Sequence, residues 1–205
     1  MSEDEKNELA EDVKRSGGVV RILVHPYYSL GDIRPNDHLQ MQDKIDSILQ
    51  KILSKDKDHC PPIIFMEGYL AIDYLYQFIR RFNTDDVYIA PTFSDSSQPY
   101  PHNDSTQKPT GKVFNSDNWQ EFIQLLQSFG VEKVIIGGQY LMIPQRPGHK
   151  PESIRYGQCL GRAINNLRTE FEVQLSNASN VSRANLRSAI QTDNKSQNEN
   201  FEVDI

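Results

Sequence analysis

Cysteine is scarce in this 205-residue chain, where Cys60 and Cys159 are the only two. They form neither a disulfide framework nor a metal-binding pattern, which suits a reducing compartment. Long apolar runs are missing as well; none approaches the ~20 residues of a membrane helix. The N-terminus lacks the basic-then-apolar order of a secretory signal. These absences predict a cytoplasmic protein with no membrane partner. Positive charge is in deficit, with a formal net charge of −6. A nucleic-acid partner, which would call for a basic face, is therefore not expected. No Gly-x-Gly-x-x-Gly follows the first apolar run, and no Walker-type Gly-Lys-Ser/Thr occurs. Dinucleotide and P-loop nucleotide binding are disfavoured on that ground.

The negative charge that is present is uneven. Residues 1–15 hold six acids against three bases. This stretch shows no apolar face of useful length, so residues 1–16 are expected to be a disordered acidic tail. Residues 17–180 then form a single α/β domain. Residues 181–205, rich in Asn, Gln and Ser, read as a short helix over 183–191 followed by a disordered polar tail.

Within the domain, apolar runs at 19–24, 63–66, 87–90, 134–136 and 171–175 read as strands. Near-continuous apolarity bounded by Gly or Pro marks a strand buried on both faces. Residues 38–54 and 69–82, the stretch that carries Trp119 to Phe129, and residues 157 to about 170 are expected to be helices, with apolar side chains recurring at three- and four-residue spacing. Ser116 or Asp117 is expected to cap the third of these, and Gly130 to take the left-handed position at its end. The alternation predicts a three-layer, open, mainly parallel sheet of about five strands with helices on both faces, Rossmann-like in class.

In such sheets ligands bind beyond the carboxyl ends of the strands. Those ends carry His25 and Tyr27, then Glu67, then Thr92 and Asp95, then Gly138, Gln139 and Tyr140, and last Ser176. Two proline-bearing loops, 91–114 and 140–157, leave the same edge and are placed to act as lids. Arg146 and Arg155 belong to a locally basic stretch that could steer a small anionic ligand, although solvated loop and helix charge is the simpler reading. Cys159 opens a helix, where unpaired N–H groups favour a thiolate. It also shares a helix face with Ala163 and Leu167, as an inert buried cysteine would. His25 suits either a base or a hydrogen-bonded structural histidine. Glu67 suits either a ligand contact or a helix cap. No spacing of His, Cys, Asp or Glu supports a metal site, so neither a metal nor a cofactor is predicted. Trp119 belongs either to the core or to a homo-oligomer contact.

One family resemblance emerges from two stretches. Residues 112–138, Lys-Val-Phe-Asn-Ser-Asp-Asn-Trp-Gln-Glu-Phe-Ile-Gln-Leu-Leu-Gln-Ser-Phe-Gly-Val-Glu-Lys-Val-Ile-Ile-Gly-Gly, resemble the centre of isochorismatase-like cysteine hydrolases. Residues 159–179, beginning Cys-Leu-Gly-Arg-Ala-Ile, resemble that family's cysteine helix and final strand, and residues 19–28 its first strand. The resemblance implies a parallel sheet between helices and an Asp–Lys–Cys triad acting on a small amide or ester. Carried over, Cys159 is the nucleophile, Lys112 the lysine, and His25 stands at the aspartate's position as the base. Two readings follow: a cysteine-dependent hydrolase, or a non-catalytic α/β module of the same shape that binds a small ligand or another protein.

Overall fold

The computed structural model describes residues 1–27, 38–53, 60–68, 71–84, 87–93, 111–138, 159–176 and 203–204. Its strands are β1 (Val19–Val24), β2 (Ile63–Glu67), β3 (Tyr88–Pro91), β4 (Lys112–Val113), β5 (Lys133–Gly138), β6 (Glu172–Ser176) and β7 (Val203–Asp204). Its helices are α1 (Glu3–Arg15), α2 (His38–Leu53), α3 (Ile72–Phe82), α4 (Trp119–Ser128) and α5 (Cys159–Leu167). Strands β1 to β6 form one open sheet in the order β4-β3-β2-β1-β5-β6, and β7 extends its β6 edge. Every pairing is parallel. The expected α/β architecture is therefore present, with more strands than the five expected. β4 is two residues long and begins with a lysine, so no apolar run marks it. β7 lies in the stretch read as a polar tail; the helix expected over 183–191 lies outside the described residues.

Connection handedness explains the layers. From β1 the chain steps through α2 and α3 to β2 and β3 on one side. It then crosses back through α4 to β5 and continues through α5 to β6 on the other. Right-handed crossovers in opposite directions place their helices on opposite faces. The two apolar cores divide accordingly. On one face, Ile45 and Leu49 of α2 and Leu75 and Phe78 of α3 pack on Leu23, Phe65 and Ile89. On the other, Leu126 of α4 and Ala163 and Leu167 of α5 pack with Val20, Ile22, Ile64 and Ile136. Alternate residues of β1 thus feed different cores, as the two-residue period of a strand requires.

The N-terminal stretch departs from expectation. It is a helix, and Leu9 and Val13 on it are fully buried against the second of these cores. Two apolar residues four apart are too few to show as a periodic stripe, yet they meet one face of the sheet. The local signal was the Ser-x-x-Glu of a capping box. Ser2 Oγ accepts from the Glu5 N–H, and the Ser2 N–H donates to the Glu5 carboxylate at 2.6 Å. Acids in the first turn and Lys14 and Arg15 in the last suit the helix dipole. The cap of α4 also differs: it is Asn118, whose side chain accepts from the Glu121 N–H at 3.0 Å. Gly130 takes the expected left-handed conformation, with φ 79°. The Asn118 acceptor lies closer to the free N–H groups than Ser116, which is turned into the interior and buried.

A buried Leu9 has a measurable consequence. Leu9→Ala should lower the unfolding free energy in urea by about 2–4 kcal/mol, the usual cost of a core leucine. A change within roughly 0.5 kcal/mol, typical of a solvated surface position, would mean that α1 is not packed on the sheet.

Candidate functional site

The winding direction reverses between β1 and β5, and such a reversal leaves a crevice beyond the strands' carboxyl ends. The pairing there is tight. Val24 stands opposite Gly138, and a Cβ on Gly138 would lie 2.0 Å from the Val24 carbonyl oxygen. Gly138 also has φ 140°. Only glycine meets both requirements. α5 starts from this same edge, because the chain leaves β5 at its carboxyl end and α5 runs back to the start of β6. Cys159 is the first residue of that helix. Topology therefore brings Cys159 and His25 to one edge of the sheet, at the reversal.

His25 follows β1 in a left-handed conformation, φ 52°. For a residue with a Cβ this costs about 1–2 kcal/mol. Tertiary bonds offset that cost. Its N–H donates to the Met66 carbonyl of β2 at 2.7 Å, and its Nε2 shares a hydrogen bond with Thr92 Oγ1 at 2.8 Å. The ring is 2 % exposed. Burial lowers its pKa from 6.5 to about 4, so the imidazole is neutral over the physiological range. These bonds link the end of β1 to β2 and to the residue after β3.

Glu67 ends β2 and is 1 % exposed. It does not cap α3, whose N-cap residue Ala71 makes no side-chain bond. One carboxylate oxygen accepts from the Tyr27 N–H at 2.8 Å, and the other from the Gly68 N–H at 3.0 Å. Burial pushes this carboxyl up to about 8, against the two N–H donors, which favour the ionised form. Beside it, Tyr27 Oη donates to Asp46 Oδ1 at 2.7 Å, and Arg81 donates to Asp46 Oδ2 at 3.2 Å. Burial, first of all, raises the Tyr27 hydroxyl and the Asp46 carboxyl. This network binds the end of β1 to α2 and α3. Sequence reasoning missed Asp46, which follows Ile45 in an amphipathic helix and reads as an ordinary surface acid. Its only signal was its position beside the apolar stripe of Ile45, Leu49 and Ile52.

Lys112 is not part of the assembly at the reversal. It lies on β4, four strands from β5. At ~4.8 Å per strand that is roughly 19 Å, longer than a lysine side chain. Its ammonium instead pairs with Glu8 of α1 and lies 5.1 Å from the Tyr88 ring centroid. Residues Asp95, Gln139, Tyr140, Arg146 and Arg155 lie outside the described residues, as does the side chain of Cys159. Trp119 is half-buried and packs edge-on against Phe93 at 5.1 Å, so a core role accounts for it. Among the described residues no group of three or more His, Cys, Asp or Glu side chains is arranged to hold a metal ion, and no helix is long and apolar enough to cross a membrane. No protein-family model matches the chain, and no curated protein matches it.

The two buried groups give opposite pH dependences. Between pH 4 and 6.5 the unfolded state protonates His25 and the folded state does not, so His25 makes stability rise with pH. Between pH 4.5 and 8 the folded state retains the Glu67 proton and the unfolded state does not, so Glu67 makes stability fall as pH rises. The two slopes oppose each other up to pH 6.5, and the Glu67 slope continues alone above it. Urea unfolding should show wild type losing roughly 2 kcal/mol relative to Glu67→Gln between pH 6.5 and 8. Parallel curves for the two proteins would show that Glu67 titrates as it does in the unfolded chain.

Proposed function

We propose that the protein is a non-catalytic α/β module that binds a small anionic molecule in the crevice beyond the carboxyl ends of β1 and β5. The observation that carries this reading is the reversal of strand order at that point, with the first turn of α5 at the same edge. That turn contains no acidic residue, and the positive end of a helix dipole favours negative charge. The basic residues Arg146, Lys150 and Arg155 precede it in sequence.

Energetics weigh against the hydrolase reading. An ordinary thiol has a pKa of ~8.5, whereas the His25 imidazole is held at about 4. Moving the thiol proton to His25 would then be uphill by roughly 6 kcal/mol. Lys112, engaged with Glu8, is on a distant strand. A cysteine hydrolase remains the second reading because Cys159 heads α5 at the carboxyl edge that His25 also occupies, an arrangement that favours a reactive thiolate.

Two measurements separate the readings. Amide-resolved NMR with a panel of small carboxylates and phosphates should perturb Val24, His25, Gly137, Gly138 and Leu160 together. Perturbations confined to other parts of the chain would remove the crevice as the binding site. The rate of alkylation, followed against pH at Cys159 and Cys60 separately, should be unchanged at Cys159 by His25→Ala. Thiolate reactivity at Cys159 well below pH ~8.5, abolished by that substitution, would instead establish a cysteine–histidine pair and the hydrolase.

A further inference from the structure

On the face of the sheet that carries α2 and α3, the apolar core stops at β1. Leu23 belongs to that core, but Arg21, two residues earlier on the same face, does not. Nor do the residues that continue this face outward, Ile135 of β5 and Gln174 and Ser176 of β6. Arg21, Ile135 and Gln174 are half-buried, so solvent reaches this part of the sheet. Helices α4 and α5 pack on the other face.

Arg21 is a cation in the central strand, and its side chain has a definite direction. Register aligns Arg21 with Ile135, and Ile135 with Gln174. Ser176 stands two residues beyond Gln174, toward the carboxyl edge. The Arg21 guanidinium donates to Ser176 Oγ at 3.1 Å. The side chain therefore crosses β5 diagonally and carries its charge toward the carboxyl edge. Gly137, two residues beyond Ile135 on the same face, has no side chain to stand in the way. The next residue, Gly138, pairs with Val24 at the reversal of strand order. Ser176 is buried at the end of β6 and fixes the guanidinium in this position.

We infer that Arg21 holds the negative charge of the ligand proposed for the crevice, a small oxyanion whose oxygens meet the guanidinium beside Gly137. This inference rests on the crevice reading. A guanidinium presents a planar fork of donors that matches two oxygens of a carboxylate or a phosphate. Lys133, a second cation on the same face, does not serve the crevice. It begins β5 at the opposite edge and pairs with Glu172 at 2.8 Å.

Inorganic phosphate and acetate, titrated separately into the full-length protein and followed by NMR, are the probes. In wild type, the anion that shifts the Gly137 and Gly138 amides should shift the Arg21 Nε–H signal with the same midpoint. Arg21→Gln should weaken that anion roughly ten- to hundredfold, the worth of a hydrogen bond to a charged group. Lys133→Gln removes the same charge from the same face and should leave the midpoint unchanged. The Nε–H signal is read in wild type, whether or not a variant folds. A static Nε–H signal while the amides move would overturn the role of Arg21 and leave the crevice standing. Equal weakening by Arg21→Gln and Lys133→Gln would show general charge attraction and overturn it likewise. Amides that stay still with both anions would remove the crevice, and the role of Arg21 with it.

Discussion

The backbone ladder between β1 and β5 is the constraint on which the rest of the molecule depends. Its register runs from Val19 opposite Lys133 to Val24 opposite Gly138. These strands are far apart in sequence, and β2, β3 and β4 have been laid down on one side before β5 returns to the other. Because the crossovers change direction there, α2 and α3 cover one face while α4 and α5 cover the other. The crevice follows from the same pairing. Gly138 admits the close approach, since any side chain there would meet the Val24 carbonyl.

The polar residues at the carboxyl edge divide by the work they do. His25 and Glu67 are both buried, and both make hydrogen bonds at strand ends. His25 reaches across to Thr92 and Met66; Glu67 gathers the N–H groups of Tyr27 and Gly68. Such groups are costly to bury, and each oxygen of Glu67 has found a donor. Their perturbed pKa values arise from burial, and burial alone does not mark a catalytic group. The arrangement also explains the left-handed backbone at His25: bonds to two other strands hold the turn before Pro26.

α1 shows how little local pattern a packed element needs. Its sequence is charged almost throughout, and its hold on the sheet comes from Leu9 and Val13, aided by the capping box at Ser2 and the pairing of Glu8 with Lys112. The same helix also lines a concave surface at the amino-terminal edge of the sheet. An element that reads as solvated tail thus bridges one apolar core and a concave surface.

The sequence by itself determined the class of fold, because hydrophobic periodicity and breaker residues act locally. β1 runs over its apolar residues from Val19 to Val24, and Gly130 stands where α4 must reverse. It also marked which residues stand at strand ends, since those positions follow from where apolar runs stop. Partners were not legible. Glu67 read as a ligand contact or cap, and its hydrogen bond from the Tyr27 N–H was not foreseen; Lys112 read as a member of a triad and lies on a distant strand beside Glu8. Only the tertiary structure decided those matters. Strand order and side-chain pairing depend on contacts between residues remote in the chain, and no local spacing records them.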